Sequence, residues 1–347
     1  TGQRYYYRLG DTAQQVWTTV GTFQTAKGDG DFTFIGLTDT QSQNLAEAQL
    51  SAATMSKAVR AVPEAEFITH SGDLVEAGAR EQDWIDLLDS ARPTLMNTTL
   101  APSAGNHDEA RNSFVDHFTL EAPNGQNTTR GAYYSFDYND AHFMVLNTNE
   151  DGSTNQQGAE AITDAQVEWL RQDAAAARAA GAKWLILSMH KGAYTTANHL
   201  DDYDVVAMRD KLMPVIDEAD IDLVLQGHDH VMGRTKVLAS DPAGIENARV
   251  VETTKYTELV NGKRIEYNVD PEGTIFLLPN TAGAKHYSQK GSARGFDLEQ
   301  YLQLFDRTGA QATENFAAIR VTGDQLTVDK YDIRNQSSPR VFESFGI

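Results

Sequence analysis

Residues 223–230 read Leu-Val-Leu-Gln-Gly-His-Asp-His: an aliphatic run, then glycine, then two histidines around an aspartate. An apolar run without alternation suits a strand buried on both faces. The same order of residue types recurs along the chain. Phe32–Leu37 is followed by Asp39, 67–69 by Ser71-Gly72-Asp73, 100–104 by Gly105-Asn106-His107-Asp108, and 184–188 by His190. Further short apolar runs lie at 143–146 and 274–278, and β-rich patterns at 250–256, 264–269, 317–321 and 325–331. Helical patterns at 45–62, 81–91, 164–180 and 205–218 stand between the earlier runs, the alternation of an α/β fold. The third helix opens on Thr163-Asp164-Ala165-Gln166, a capping box whose Thr hydroxyl and Gln amide can satisfy the first free backbone N–H groups. In open α/β sheets ligands bind beyond the carboxyl ends of the strands, which sends these polar clusters to one rim.

Gathered there, Asp39, Asp73, Asn106, His190, His228 and His230 make a mixed oxygen and nitrogen shell suited to Zn, Fe or Mn. Two cations about 3.5–4 Å apart need a shared anionic oxygen against their mutual repulsion, and Asp73 is the candidate bridge. Gly72, Gly105 and Gly227 precede Asp73, Asn106 and His228 and let the backbone turn off the strand without a side chain in the way. Composition narrows the chemistry. The 347 residues contain no Cys, which removes thiolate metal sites, Cys nucleophiles, iron–sulfur clusters and disulfide scaffolds. With 29 Lys and Arg against 49 Asp and Glu, the net charge of −20 argues against a general nucleic-acid binder. No apolar stretch approaches the ~20 residues of a membrane span.

The motifs Thr38-Asp39-Thr40-Gln41, Gly72-Asp73-Leu74-Val75-Glu76, Gly105-Asn106-His107-Asp108, Met189-His190 and Gly227-His228-Asp229-His230 resemble, in order, those of the calcineurin-like metallophosphoesterase superfamily. Within it the purple acid phosphatase branch is the most similar, with further likeness at Gly131-Ala132-Tyr133-Tyr134-Ser135-Phe136 and Asn280-Thr281-Ala282-Gly283-Ala284-Lys285. The resemblance implies a four-layer α/β/β/α sandwich of two mixed sheets with helices outside. It implies two divalent or trivalent ions (Fe, Mn or Zn): Asp39 and His230 on metal one, Asp73 bridging, and Asn106, His190 and His228 on metal two. It implies hydrolysis of a small-molecule phosphate ester by metal-bound hydroxide. His107 would then be the general acid, its ring oriented by Asp108 or a backbone group, and Asn106 and His199 would bind substrate. A phosphomonoesterase is the first expectation. A phosphodiesterase or nucleotidase, or a catalytically silent surface or scaffold protein of the same fold, are the alternatives. The loops 121–130, 149–158 and 195–203 are where ester specificity is expected, and Leu200 stands where the plant enzymes carry a second histidine.

Two departures concern metal one. Many superfamily members have His where this chain has Gln41, and the purple enzymes have a colour-giving Tyr where it has Glu76. The Gln41 amide, the Glu76 carboxylate or water is left to complete that shell, metal one is expected to be the weaker site, and iron-loaded protein is expected not to be purple. The hairpin pattern of residues 5–25, around Leu9-Gly10-Asp11, is similar to the end of the fibronectin-like domain of purple acid phosphatases. This divides the chain into 1–27, a remnant of that domain with its hinge, and a catalytic domain 28–347. The family resemblance, the absence of Cys and the acidic pI of about 4.7 together point to a secreted or cell-surface protein. His70, His117, His142 and His286 read as structural histidines, with His286 placed where it could reach the rim; Lys191 and Arg234, beside the expected ligands, read as surface cations by default, with help in binding phosphate as the alternative. Nothing in the sequence points to an oligomeric state.

Overall fold

The strand Phe32–Leu37 sets the layering: Phe32 and Phe34 enter one apolar cluster while Ile35 and Leu37 enter another on the opposite face. The computed structural model describes residues 2–28, 30–109, 113–120, 132–150, 155–288, 292–293, 296–297, 301–305, 313–333 and 338–347. The loop 121–130 and residues 151–154, two of the places where ester specificity is expected, lie outside them.

Among the described residues two large mixed sheets form. One runs in the order Thr254–Val260, Lys263–Val269, Arg340–Gly346, Gln325–Asp332, Asn315–Thr322, Phe32–Leu37, Ala65–His70, Thr99–Pro102. The other runs Leu302–Phe305, Met232–Thr235, Ile275–Pro279, Leu223–Gly227, Trp184–Lys191, Ala141–Val145, Tyr134–Tyr138. The strands that precede the expected ligands pair in parallel within each sheet, so their carboxyl ends share an edge. Phe34, Phe67, Phe143, Ile186, Leu225, Leu277 and Ile319 fill the space between the sheets, with Phe34 stacked on Phe67 at 5.3 Å and Phe143 edge-on to Phe34 at 5.1 Å. Such a buried side chain contributes about 1.5–3 kcal/mol relative to exposure. Outside one sheet, Met55 and Ala58 of the helix Leu45–Ala61 cover Ile35 and Leu37. Outside the other, Leu170 of Asp164–Ala180 and Met208 and Leu212 of Tyr203–Glu218 cover Leu185 and Leu187. This is the four-layer α/β/β/α arrangement. Where the carboxyl ends of the two sheets meet, Ser188 Oγ lies 3.1 Å from Ser71 Oγ and 3.0 Å from Ser103 Oγ, a buried hydroxyl seam under the rim.

Three local readings change. The second helix runs Glu81–Leu95, beyond the expected 91, and carries Pro93 in its last turn at the loss of one backbone bond, the one to residue 89. At the start of Asp164–Ala180, Thr163 Oγ1 accepts from Gln166 N (3.3 Å) as expected, but the Gln166 amide turns inward and pairs with both backbone groups of Asn147. The Glu150 carboxylate takes the Thr163 N–H instead, at 3.0 Å. In the amino-terminal hairpin, Arg4–Tyr7 pairs with Gly21–Gln24 and Gly10–Asp11 with Val16–Trp17, so Gly10 and Asp11 are strand and the reversal falls at 12–15. Thr22 N and Tyr7 OH both donate to Met96 O, at 2.9 and 3.2 Å, and seat the hairpin at the end of the second helix.

His142 ties a sheet to a helix, its Nδ1 2.7 Å from Asp137 Oδ1 and its Nε2 2.8 Å from Asp173 Oδ2. Burial alone would lower its pKa, but the hydrogen bonds to Asp173 and Asp137 outweigh it and raise the value above 6.5. The folded state therefore holds this proton more tightly than the unfolded chain. The stabilisation, on the order of 1 kcal/mol, is complete below pH 6.5 and is lost as pH rises through the raised value. Thermal midpoints of the protein and H142Q should differ at pH 6 and converge at pH 9; a constant gap would show that packing, not charge, is lost.

Candidate metal centre

Several site residues sit on left-handed backbone although none is glycine: Asp39 (φ 54°), Gln41 (φ 33°), Asp73 (φ 53°) and His228 (φ 73°). Such conformations persist where the surroundings over-determine them. Here the loops brace one another. Asp39 N donates to Gly72 O (3.0 Å), Gln41 N to Asp73 O (2.8 Å), His107 N to Asp73 Oδ1 (2.9 Å) and His228 N to both Asp39 oxygens (3.2 Å). Close approach also accounts for two of the glycines. A Cβ on Gly105 would fall 2.0 Å from Asp73 N, and Gly72, at φ 90°, would push one to 2.6 Å from His190 Nδ1.

The rim gathers the expected ligands in two overlapping groups, Asp73 with His190 and His228, and Asp39 with Asp73 and His230; within each, one ligand atom per residue lies within 4.8 Å of the others. Asp73 belongs to both. His190 Nε2 lies 3.2 Å from Asp73 Oδ1 and 3.0 Å from Asn106 Oδ1, and His230 Nε2 lies 3.3 Å from Asp39 Oδ1. His190 Nδ1 donates to Ser71 O (2.9 Å) and His230 Nδ1 to Lys285 O (2.7 Å), which turns both Nε2 atoms toward the carboxylates. Among the described residues, the His230 Nε2 and both amide atoms of buried Gln41 have no hydrogen-bond partner. Carboxylate, amide oxygen and imidazole nitrogen, several of them buried and unsatisfied, fit Zn, Fe or Mn.

Charge runs through this cluster in a consistent direction. Burial raises the Asp73 pKa, but the charge and hydrogen bond of His190 outweigh it and hold the carboxyl well below the usual range. Burial likewise lowers His190, and Asp73 reverses this and lifts it to about 9. His228 moves down, through burial and then the neighbouring His199 and His190. A cation on these atoms must therefore displace the proton of His190.

His107 Nδ1 donates to the backbone carbonyl of Glu76 at 2.7 Å, so of the two expected orienting groups it is the backbone one that holds the ring. Asp108 is buried behind the loops, its Oδ1 accepting from Leu74 N and Val75 N (2.8 and 3.0 Å) and its Oδ2 from Gly105 N (2.9 Å). Burial pushes its pKa up to about 7, with Asp73 adding to the rise. The Glu76 carboxylate lies 3.7 Å from His107 Nδ1 and is in neither ligand group. His199 reaches the site edge, its ring 3.9 Å from that of His228 and its Nδ1 2.7 Å from Asp202 Oδ2. Asp202 joins these two histidines in a third cluster of possible ligands.

His70 lies beneath the loops, driven down to about 4 chiefly by burial, and meets the Thr40 hydroxyl at 3.2 Å. Lys191 and Arg234 are not surface cations. Lys191 is buried and paired with Asp204, and Arg234 pairs with Glu343 at 2.6 Å while covering the Phe345 ring. Sequence reasoning missed two participants. Asp229, between the two candidate ligand histidines, accepts from Asn198 N (3.1 Å) and His199 N (3.2 Å) and so fixes the His199 loop. Tyr287 stacks on His230 at 4.6 Å, and burial together with Asp39 and Asp73 raises its pKa, which keeps the phenol neutral. Its place just after the Asn280–Lys285 motif was the available signal.

Residues 32–232 match the family described as calcineurin-like phosphoesterase. Purple acid phosphatase 22 of Arabidopsis thaliana is 24% identical over 259 residues, covering 69% of this chain and 53% of that protein. The structure of purple acid phosphatase PPD1 from yellow lupin (Lupinus luteus) seeds aligns with 100% of this chain and 60% of its own, with a TM-score of 0.73 at 17% identity. That of PhoD aligns with 99% of this chain and 75% of its own, with a TM-score of 0.66 at 15% identity. The two structural likenesses show the fold. This chain spans about half the length of the curated relatives it matches.

Proposed function

This chain belongs to the calcineurin-like phosphoesterase family, and from that premise we propose that it hydrolyses phosphate monoesters at a site for two metal ions. The observation that carries the reading is the place of Asp73 in both ligand groups, since one shared carboxylate is what two closely spaced cations require. Asp39, His230 and the unpartnered Gln41 amide would hold one ion, and Asn106, His190 and His228 the other. When bound, the ions supply Lewis-acid stabilisation to the phosphoryl oxygens. Asn106 contributes an oxygen without a charge, so the ligand set keeps only Asp39 and Asp73 as anions and leaves the site attractive to phosphate in a chain of net charge −20. His107, held through Nδ1 by the Glu76 carbonyl, presents Nε2 as the atom that delivers a proton to the departing oxygen. His199, anchored by Asp229 and Asp202 beside the His228 ring, would contact the substrate from that edge of the site.

The test is hydrolysis of matched chromogenic phosphate monoester and diester substrates by protein loaded in turn with Mn, Zn, Fe and Mg. Metal-dependent turnover favouring the monoester is expected. Preference for the diester would move the assignment to a phosphodiesterase, and no turnover with any metal would overturn it.

A further inference from the structure

Beyond the proposed ions, the basic side chains next to the expected ligands, Lys191 and Arg234, have little charge to offer a phosphate ester, since they are already paired with Asp204 and Glu343. Lys285 differs. It is half-buried, and no carboxylate pairs with it among the described residues. Its carbonyl accepts from His230 Nδ1 at 2.7 Å, and its Nζ lies 5.6 Å from the centre of the Tyr287 ring. That ring stacks on His230, and Tyr287 N donates to His230 O at 3.0 Å. The preceding backbone is fixed to the Asp39 loop: Thr281 Oγ1 donates to Asp39 O (2.6 Å) and Ala282 N to Thr38 O (2.8 Å). A Cβ on Gly283 would fall 2.2 Å from Thr40 O, so this segment lies flush against the loop. One stretch of chain thus positions His230 and carries the ammonium. An aromatic face holds an ammonium without neutralising it, whereas a carboxylate partner would cancel its charge.

We propose that Lys285 contacts the substrate phosphoryl group and selects phosphate monoesters over diesters by the additional negative charge that a monoester carries. A monoester near pH 7 bears about −1.5 to −2, and a diester, with one ionisable oxygen fewer, bears a single charge. This rests on the phosphoesterase reading and adds the basis of its ester preference.

The experiment uses metal-loaded protein, K285M, which keeps the aliphatic stem, and K285R, which keeps the charge. Inorganic phosphate is titrated calorimetrically, and kcat and KM are measured for matched monoester and diester substrates. For K285M, phosphate affinity should fall and monoester KM should rise about tenfold, while kcat and diester KM stay within about twofold. K285R should restore most of the loss. Unchanged phosphate affinity, or equal losses on both esters, would overturn the proposal. Should the unsubstituted protein turn over neither ester, the hydrolase reading fails by itself, and the phosphate titration still decides the role of Lys285.

Discussion

His107→Ala is expected to lower kcat about 10²–10⁴-fold on esters with poor leaving groups, with metal content unchanged. The geometry separates these two readouts. The contact of residue 107 with Asp73 is through the backbone, His107 N to Asp73 Oδ1 at 2.9 Å, and alanine retains it. What alanine removes is an imidazole whose Nδ1 is committed to the Glu76 carbonyl and whose other nitrogen meets no partner among the described residues, in a side chain 28% exposed. A general acid matters in proportion to how much the departing oxygen needs a proton. An alkoxide leaving group should therefore suffer the full loss and a nitrophenolate much less. Rates measured across a leaving-group series should depend more steeply on leaving-group pKa in the variant. A uniform loss across the series, or loss of bound metal, would instead make His107 a structural support.

Legibility differed with the range of the interaction. That Asp39, Asp73, Asn106, His190, His228 and His230 come together was readable because each follows a short apolar run, and strand ends in a parallel arrangement meet at a rim without any knowledge of partners. The layering was readable for the same reason, since the unbroken apolar run of Phe32–Leu37 requires cover on both faces. What stayed hidden depends on pairings between distant residues. Nothing beside Arg234 announces Glu343, and nothing beside Thr163 announces that Glu150 would complete its cap while Gln166 turns to Asn147. Lys191 became a buried pair because Asp204 opens the helix packed behind its strand. The bracing role of Asp229 was masked by its neighbours, for between two ligand histidines an aspartate reads as spacing until the His199 loop is seen to hang from it.

Asp73→Asn should have the largest effect, because on the proposed two-metal reading it removes a charge that both ions would share. The substitution keeps the shape and one acceptor oxygen for His107 N, so the loops should stay in place. Removing one partner of a buried ion pair ordinarily costs about 3–5 kcal/mol, but His190 can discharge by releasing its proton, which limits the cost to the fold. Two ions sharing the Asp73 carboxylate would have no such escape. Lewis-acid stabilisation is worth several kcal/mol, and at about 1.4 kcal/mol per factor of ten, loss of one ion should lower kcat/KM by at least about 10³. Elemental analysis after dialysis should find one equivalent or fewer. The proton balance provides an independent check. His190 is held up to about 9 by Asp73, so in the unsubstituted protein metal uptake near pH 7 must expel that proton, and affinity should fall about tenfold for each unit of pH below 9. Without the Asp73 charge the His190 value drops, and metal uptake near pH 7 should release fewer protons, measurable by calorimetry in buffers of different ionisation enthalpy. A variant that retains two equivalents, the full proton release and near-normal turnover would show that Asp73 is not the shared ligand.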